Sequence, residues 1–225
     1  MRKLFEIGGL VAGAVLIAFG VVAIVMGIDG RNTVHNSLKQ EYIVGTPDMT
    51  ASAIAAEAKK AGLPASIKLP TADIAGKAIT NGTLAHQFAT YMRIHTLEAT
   101  GGLAYAQMGR YQALSTAPAK VTDGLGGTND AKYAVTDPKT KQPVSNPRRE
   151  IWTTSLALQT ALNSSYMADQ LSLFGVVVGV ALLLSGFGFA ILAIGGALRN
   201  PATALGFVRK WFPRVSRQAS TARTA

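Results

Sequence analysis

Cysteine is absent from this chain of 225 residues. Its absence excludes disulfide bonds, thiolate catalysis, cysteine-ligated iron–sulfur clusters and cysteine zinc sites. Domains outside the cytoplasm are free to use disulfides. This protein must therefore be held together by packing, by its apolar segments or by partners.

Charged residues are missing from two long stretches, Ile7 to Ile28 and Leu171 to Leu198. A helix needs about 20 apolar residues to cross the hydrocarbon core of a bilayer, and these stretches of 22 and 28 residues meet that length. Without an ionisable residue, neither span is suited to a proton or ion pathway. The first stretch is longer than the apolar core of a signal peptide, so we expect it to be an uncleaved anchor.

Acidic residues are missing from the tail after the second stretch. The N-terminal segment and this tail together hold eight basic residues and one acidic residue, whereas the centre holds 14 and 11. Because Lys and Arg accumulate on the cytoplasmic side of membrane proteins, both termini are predicted to be cytoplasmic. This distribution argues against a nucleic-acid partner, despite the net charge of +10. Basic and aromatic residues of the tail predict contact with lipid headgroups: Arg209, Lys210, Trp211, Phe212 and Arg214.

These patterns predict an all-α membrane protein whose two spans extend into a helical domain outside the cytoplasm. The predicted segments are a cytoplasmic N-terminus (1–6), a transmembrane helix (7–28), an extracytoplasmic helical domain (29–170), a second transmembrane helix (171–198) and a basic cytoplasmic tail (199–225).

Helix signals recur within the central domain. We expect the first span to continue as a helical stalk through Leu38, and a short helix over 51–61 that Gly62 and Pro64 end. A helical stripe begins at Gly82 and predicts a helix to about Tyr111. Turn residues concentrate over 113–146 and predict a long loop, with a small strand at 132–135. Pro147 then opens a helix that is predicted to continue to near Leu198.

Each span contains a GxxxG pair, Gly9 with Gly13 in the first and Gly175 with Gly179 in the second. Glycines four residues apart let two helices approach closely in lipid. A hairpin places the two pairs at opposite depths, so they cannot contact each other, and Gly186 lies nearer the depth of the first pair. We therefore expect one groove to close the hairpin and another to face a second membrane protein or a second copy.

Three histidines, His35, His86 and His95, are the candidate nitrogen ligands for a metal. If His86 and His95 share a helix, nine residues at about 100° each place them on opposite faces. Glu98 lies three residues after His95 and can meet it, but zinc and non-haem iron sites need three converging protein ligands. The sequence therefore predicts no metal site, no cofactor and no catalytic residue.

The glycine-rich stretch DGLGGTND, which begins at Asp123, lacks the ligand spacing of an EF-hand and the Lys-Ser/Thr of a P-loop. Ordinary loop chemistry explains it. The alternative is a calcium site built from Asp123, Asn129, Asp130 and Asp137.

Four segments resemble a family of actinobacterial membrane proteins: MRKLFEIGGLVAGAVLIAFG, NSLKQEYIVGTPDMT, YMRIHTLEATGGLAYAQMGRY and DPKTKQPVSNPRREIWTTSLALQTALNSSYMADQL. The resemblance covers nearly the whole chain up to the second span and implies a plasma-membrane protein of the cell envelope. Members often carry the name "aromatic ring-opening dioxygenase", which implies a non-haem iron site. In this chain its candidate residues would be His86, His95 and Glu98.

The residues themselves favour a non-catalytic membrane protein of the cell envelope. It would present its extracytoplasmic domain to partners, as an accessory subunit or as a self-assembling scaffold. Two alternatives stay open: a metal-dependent ring-opening dioxygenase, and a domain that senses a small ligand or signal through its long loop.

Overall fold

A computed structural model describes residues 2–195 of the chain. Residues 2–29 and 172–195 form one compact unit, the apolar unit, and residues 30–171 form another, the central unit. Most residues lie in four helices, and two short strands pair antiparallel: α1 (Arg2–Gln40), α2 (Ala51–Lys60), α3 (Gly82–Ala99), β1 (Tyr111–Gln112), β2 (Gly127–Thr128) and α4 (Pro147–Ile194).

The apolar unit consists of the first part of α1 and the last part of α4. Both helices are long and apolar enough to cross a membrane. Only 17% of the most apolar window of each helix is buried within protein, so these helices differ from the core helices of a soluble domain. Large apolar side chains such as Phe19 and Phe174 are exposed. The predicted basic tail and the last residues of the predicted second span lie outside the described residues.

The core of the central unit is built from α2, α3 and the segment that connects them. Ile54 of α2 and Tyr91 and Ile94 of α3 are fully buried. The connecting segment contributes Ile74 and Ile79 to the same cluster. Burial of each such side chain stabilises the fold by roughly 1.5–3 kcal/mol, so α3 is held firmly against α2.

Side-chain caps set where α2 and α3 begin. Thr50 Oγ1 accepts a hydrogen bond from the Ala53 N–H at 3.2 Å, and Asn81 Oδ1 accepts one from the Leu84 N–H at 2.9 Å. Such caps contribute about 1 kcal/mol each. The bounds of α2 confirm the helix predicted over 51–61, with Gly62 after its end at a φ of +64°.

α3 ends at Ala99, so the prediction of a helix to about Tyr111 was wrong. Gly101 and Gly102 have φ values of +67° and +80°, in the left-handed region that terminates helices. The Gly102 N–H donates to the Leu97 carbonyl at 2.7 Å, as in a Schellman motif. The glycine pair therefore ends the helix, although the apolar stripe of the sequence continues past it.

The region between α3 and α4 is ordered by a network of backbone hydrogen bonds. The predicted strand at 132–135 is wrong in its position, because residues 131–133 form a 3₁₀ turn. The Val135 N–H instead donates to the Gln112 carbonyl at 2.8 Å. The Val144 N–H donates to the Val135 carbonyl at 2.8 Å, and the Val144 carbonyl accepts from the Gln112 N–H at 2.9 Å. These hydrogen bonds hold three segments of the long loop together.

Candidate functional site

His95, Glu57 and Asp48 come together on one side of the central unit. His95 Nδ1 lies 2.7 Å from Glu57 Oε1, and His95 Nε2 lies 3.7 Å from Asp48 Oδ2. Within residues 2–195 these three side chains form the one group of His, Asp and Glu close enough to share a metal ion. The ring of His95 and the carboxylate of Glu57 are mostly buried, with 23% and 18% of their side chains exposed.

Local folding explains why these residues meet. Asp48 lies in the turn before α2, and the Ala51 N–H at the start of that helix donates to Asp73 Oδ1 at 2.7 Å. Glu57 is next to the buried Ala58 on α2. His95 is next to the buried Ile94 on α3. Packing of the two helices therefore brings the imidazole against the Glu57 carboxylate.

The Glu57 carboxylate orients the His95 ring. An ionised carboxylate only accepts hydrogen bonds, so Nδ1 carries the proton and donates it. Nε2 is buried and has no hydrogen-bond partner among the described residues, and it faces Asp48 at a distance too long for a hydrogen bond. A carboxylate behind a histidine in this way is also the usual outer support of a metal-binding histidine.

Two neighbouring carboxyl groups are perturbed in opposite directions. A hydrogen bond with Glu57, burial and repulsion from the Glu57 charge together raise the pKa of Glu98 above its ordinary value. A hydrogen bond from Thr46 holds the pKa of Asp48 below its ordinary value, helped by its own backbone N–H and by His95, although burial opposes them. Of these two carboxyl groups, Asp48 is therefore the one that stays ionised to lower pH.

The other two candidate histidines, His86 and His35, are not part of this group. His86 Nδ1 lies 2.7 Å from Asn163 Oδ1, and its ring stacks on Tyr166 at 4.7 Å. His35 lies on α1 and belongs to no group of three candidate ligands within residues 2–195. A ring-opening dioxygenase needs two histidines and a carboxylate around its iron. The described residues supply one histidine and two carboxylates, so they do not fit that iron site.

A second polar cluster lies at the start of α4, where Arg148 meets the buried Asp123. Nη2 of Arg148 contacts both carboxylate oxygens at 2.8 and 2.9 Å. The N–H groups of Gly109, Leu125 and Gly127 donate to the same carboxylate at 2.8–2.9 Å. Burial alone would raise the pKa of Asp123, but these donors outweigh it and hold the pKa below its ordinary value.

This cluster accounts for the glycine-rich stretch without a cation. Asp123 is saturated by the donors just described. Asp137 instead accepts the N–H groups of Lys139 and Thr140 in its own turn, at 2.8 and 2.7 Å. No local pattern in the sequence indicated this role of Arg148, because its partner Asp123 lies 25 residues away along the chain.

The predicted packing glycines lie in the apolar unit along one α1–α4 seam. A Cβ atom added to Gly13 would lie 2.8 Å from the Gly186 carbonyl oxygen, and one added to Gly179 would lie 2.7 Å from that of Gly20. A Cβ on Gly175 would lie 3.7 Å from the Ala23 oxygen. Gly9 is buried.

Because Gly175 and Gly179 face α1, they do not form the separate groove expected for a second protein. Gly20 and Gly27 belong to no GxxxG pair and were not predicted, but they are equally close to α4. The five tail residues proposed for the membrane surface lie outside the described part of the chain: Arg209, Lys210, Trp211, Phe212 and Arg214.

Compared with known proteins, the chain matches no family model, no curated protein and no solved structure at a significant level.

Proposed function

We propose that this protein is an integral membrane protein of the cell envelope that acts by binding partners rather than by catalysis. Its two apolar helices would cross the plasma membrane, with both termini in the cytoplasm and the central unit outside. The observation that carries the proposal is the structure of the apolar unit. Two uncharged helical runs contact each other through glycines, while their large apolar side chains are exposed.

The distribution of charge supports this orientation. The N-terminal segment and the tail carry the basic excess, and such an excess marks the cytoplasmic side. The central unit supports a binding role, because the carboxylate of Asp123 is occupied by structural hydrogen bonds. Its histidines give no two-histidine iron site among the described residues.

Single cysteines test the orientation cleanly, since the chain has none of its own. Lys139→Cys lies in the long loop, and Lys3→Cys at the start of α1 is its matched control; both positions are exposed. A membrane-impermeant maleimide should label Lys139→Cys in intact cells and Lys3→Cys only after lysis. The reverse pattern, or release of the protein by alkaline carbonate, would contradict the proposal.

Partner binding is tested by purification in mild detergent, followed by mass spectrometry of the proteins that co-purify. We expect a reproducible partner or a defined homo-oligomer. A monodisperse monomer without companions would count against the accessory-subunit or scaffold role.

The group of Asp48, Glu57 and His95 favours a second function, the binding of a divalent cation. The experiment is a calorimetric titration of the full-length protein with Zn²⁺. His95→Gln should abolish binding, whereas His86→Gln, the matched control outside the group, should leave it unchanged. Equal binding by both variants would remove this function. We expect protein loaded with Fe²⁺ not to cleave catechol, since the second histidine ligand is missing.

A further inference from the structure

A cavity at the first turn of α4 brings two arginines together. It has a volume of about 290 Å³, and its lining includes Arg110, Arg149, Tyr105, Tyr111 and Glu150. We propose that this cavity binds a small organic anion through a carboxylate or phosphate group. The site lies within the central unit and differs from the His95 group, so it does not depend on the functions proposed above.

Arg149 carries a positive charge that no ion pair neutralises among the described residues. Its guanidinium lies 3.8 Å above the Tyr105 ring, and no carboxylate among the described residues lies within ion-pair distance of it. Its Nε is buried without an acceptor in the same part of the chain. The neighbouring Arg148, by contrast, is neutralised by Asp123. One arginine of the pair is therefore structural, and the other presents its charge to the cavity.

Arg110 brings the second positive charge. Its backbone is fixed from both sides, since its N–H donates to Asn129 Oδ1 at 3.1 Å and its carbonyl accepts from the Asn146 N–H at 2.9 Å. Asn146 is itself buried and precedes α4 directly. The two arginines are therefore carried by segments that are bonded to each other, and both line one cavity.

Arg110, Arg149 and the carboxylate of Glu150 line the cavity, and no ion pair joins them among the described residues, so the lining keeps a net positive charge that attracts an anion. The guanidinium group binds carboxylate and phosphate through paired N–H donors, and the first turn of a helix adds a further positive potential. Both observations point to an anionic group as the part of the ligand that is recognised.

The walls of the cavity restrict the rest of the ligand. A volume near 290 Å³ is at the lower limit for small-molecule sites. Tyr105 and Tyr111 offer aromatic surface, which suits a compact apolar or ring-shaped body. Glu150 on the lining disfavours a second anionic group close to the first. The expected ligand is thus a small molecule with one anionic group.

The experiment uses the full-length protein in lipid nanodiscs at low ionic strength. Binding of 4-fluorobenzoate is followed by the ¹⁹F line width of the ligand, and binding of phenyl phosphate by its ³¹P line width. The neutral 4-fluorobenzyl alcohol controls for partition into lipid. We expect saturable broadening for at least one of the two anions and none for the alcohol, and the stronger anion identifies the preferred group.

Arginine variants then locate the binding. Arg149→Gln and Arg110→Gln should each weaken binding about ten- to a hundredfold, as expected for loss of a charge-assisted contact. Arg149→Lys should lie between these variants and the native chain. Arg93→Gln is the matched control, because Arg93 also stacks on an aromatic ring, that of Trp152 at 4.4 Å, without lining this cavity. Failure of the native protein to bind either anion, or an equal loss in the Arg93 control, would overturn the proposal.

Discussion

Substitution of Gly20 by alanine should destabilise the apolar unit. A Cβ atom at this position would lie 2.8 Å from the Gly179 carbonyl oxygen and 2.9 Å from both the backbone nitrogen and Cγ of Leu183. Ordinary contacts of a Cβ atom begin near 3.4 Å, so the helices would have to separate locally by about half an ångström. Overpacking of this kind costs about 1–3 kcal/mol.

The matched controls are Gly8→Ala on α1 and Gly188→Ala on α4, where no atom lies within 4 Å of an added Cβ. Alanine favours a helix over glycine by up to about 1 kcal/mol, so these controls should be neutral or slightly stabilising. The free energy of unfolding is measured by SDS titration in mixed micelles, with circular dichroism as the readout. If Gly20→Ala is as stable as the controls, the close approach at this position is refuted.

Three further predictions concern the central unit, each measured by denaturant unfolding of the full-length protein in detergent. Asp123→Asn should lower stability by about 3–5 kcal/mol, because it leaves Arg148 buried without its counter-charge. The deficit should shrink as the pH falls below about 4. The pKa of Asp123 is lower in the folded protein than in the unfolded chain, so its ionised carboxylate stabilises the fold at pH values above the unfolded pKa, and this stability is lost when the group is protonated. Glu98→Gln should slightly raise stability at pH 7 and have no effect below about pH 4, because ionisation of Glu98 beside Glu57 opposes folding. Ser155→Ala should cost about 1–3 kcal/mol, since it leaves the buried Gln159 amide without its acceptor, whereas Thr96 keeps its hydrogen bond to the Met92 carbonyl. A deficit for Asp123→Asn that stays constant with pH, a destabilised Glu98→Gln, or a Ser155→Ala variant of native stability would each contradict the reasoning.

Long helices were the part of the fold that the sequence predicted well. An uncharged run of more than 20 residues has few structural alternatives, so the two long apolar helices are confirmed. Pro147 was also correctly placed as the first residue of α4. Both signals are local, because each depends on the composition or chemistry of adjacent residues.

Features that depend on distant contacts were predicted poorly. The end of α3 before Gly101 and Gly102 was not predicted, because the helical stripe of apolar residues continues past these glycines. The strands β1 and β2 are two residues long, too short to leave an alternating pattern. Their positions follow from the hydrogen bonds around Asp123, which sequence spacing did not reveal.

The candidate site was predicted only in part. His95 was predicted as a candidate nitrogen ligand for a metal, and Glu98, three residues later, as a group that it can meet. The structure gives Glu57 and Asp48 as the residues that contact the ring. These residues come from α2 and from the turn before it, 38 positions or more away along the chain. Only the packing of α2 on α3 brings them together, and that packing depends on core residues rather than on the site itself.

The glycine seam explains why a motif search found some of the packing residues and missed others. Contacts along α1 occur at Gly13, Gly20 and Gly27, which are seven residues apart. On α4, Gly186 contacts Gly13 and Gly179 contacts Gly20. A repeat of seven keeps small residues on one line only if the helices cross in the left-handed sense, whereas the GxxxG pair belongs to right-handed crossings. Spacings of four identify Gly13 and Gly179, and Gly186, expected near the depth of the first pair, does contact Gly13. Gly20, the contact of Gly179, has no glycine four residues away and gave no such signal. The seven-residue spacing also means that these glycines are used for contacts within a single hairpin.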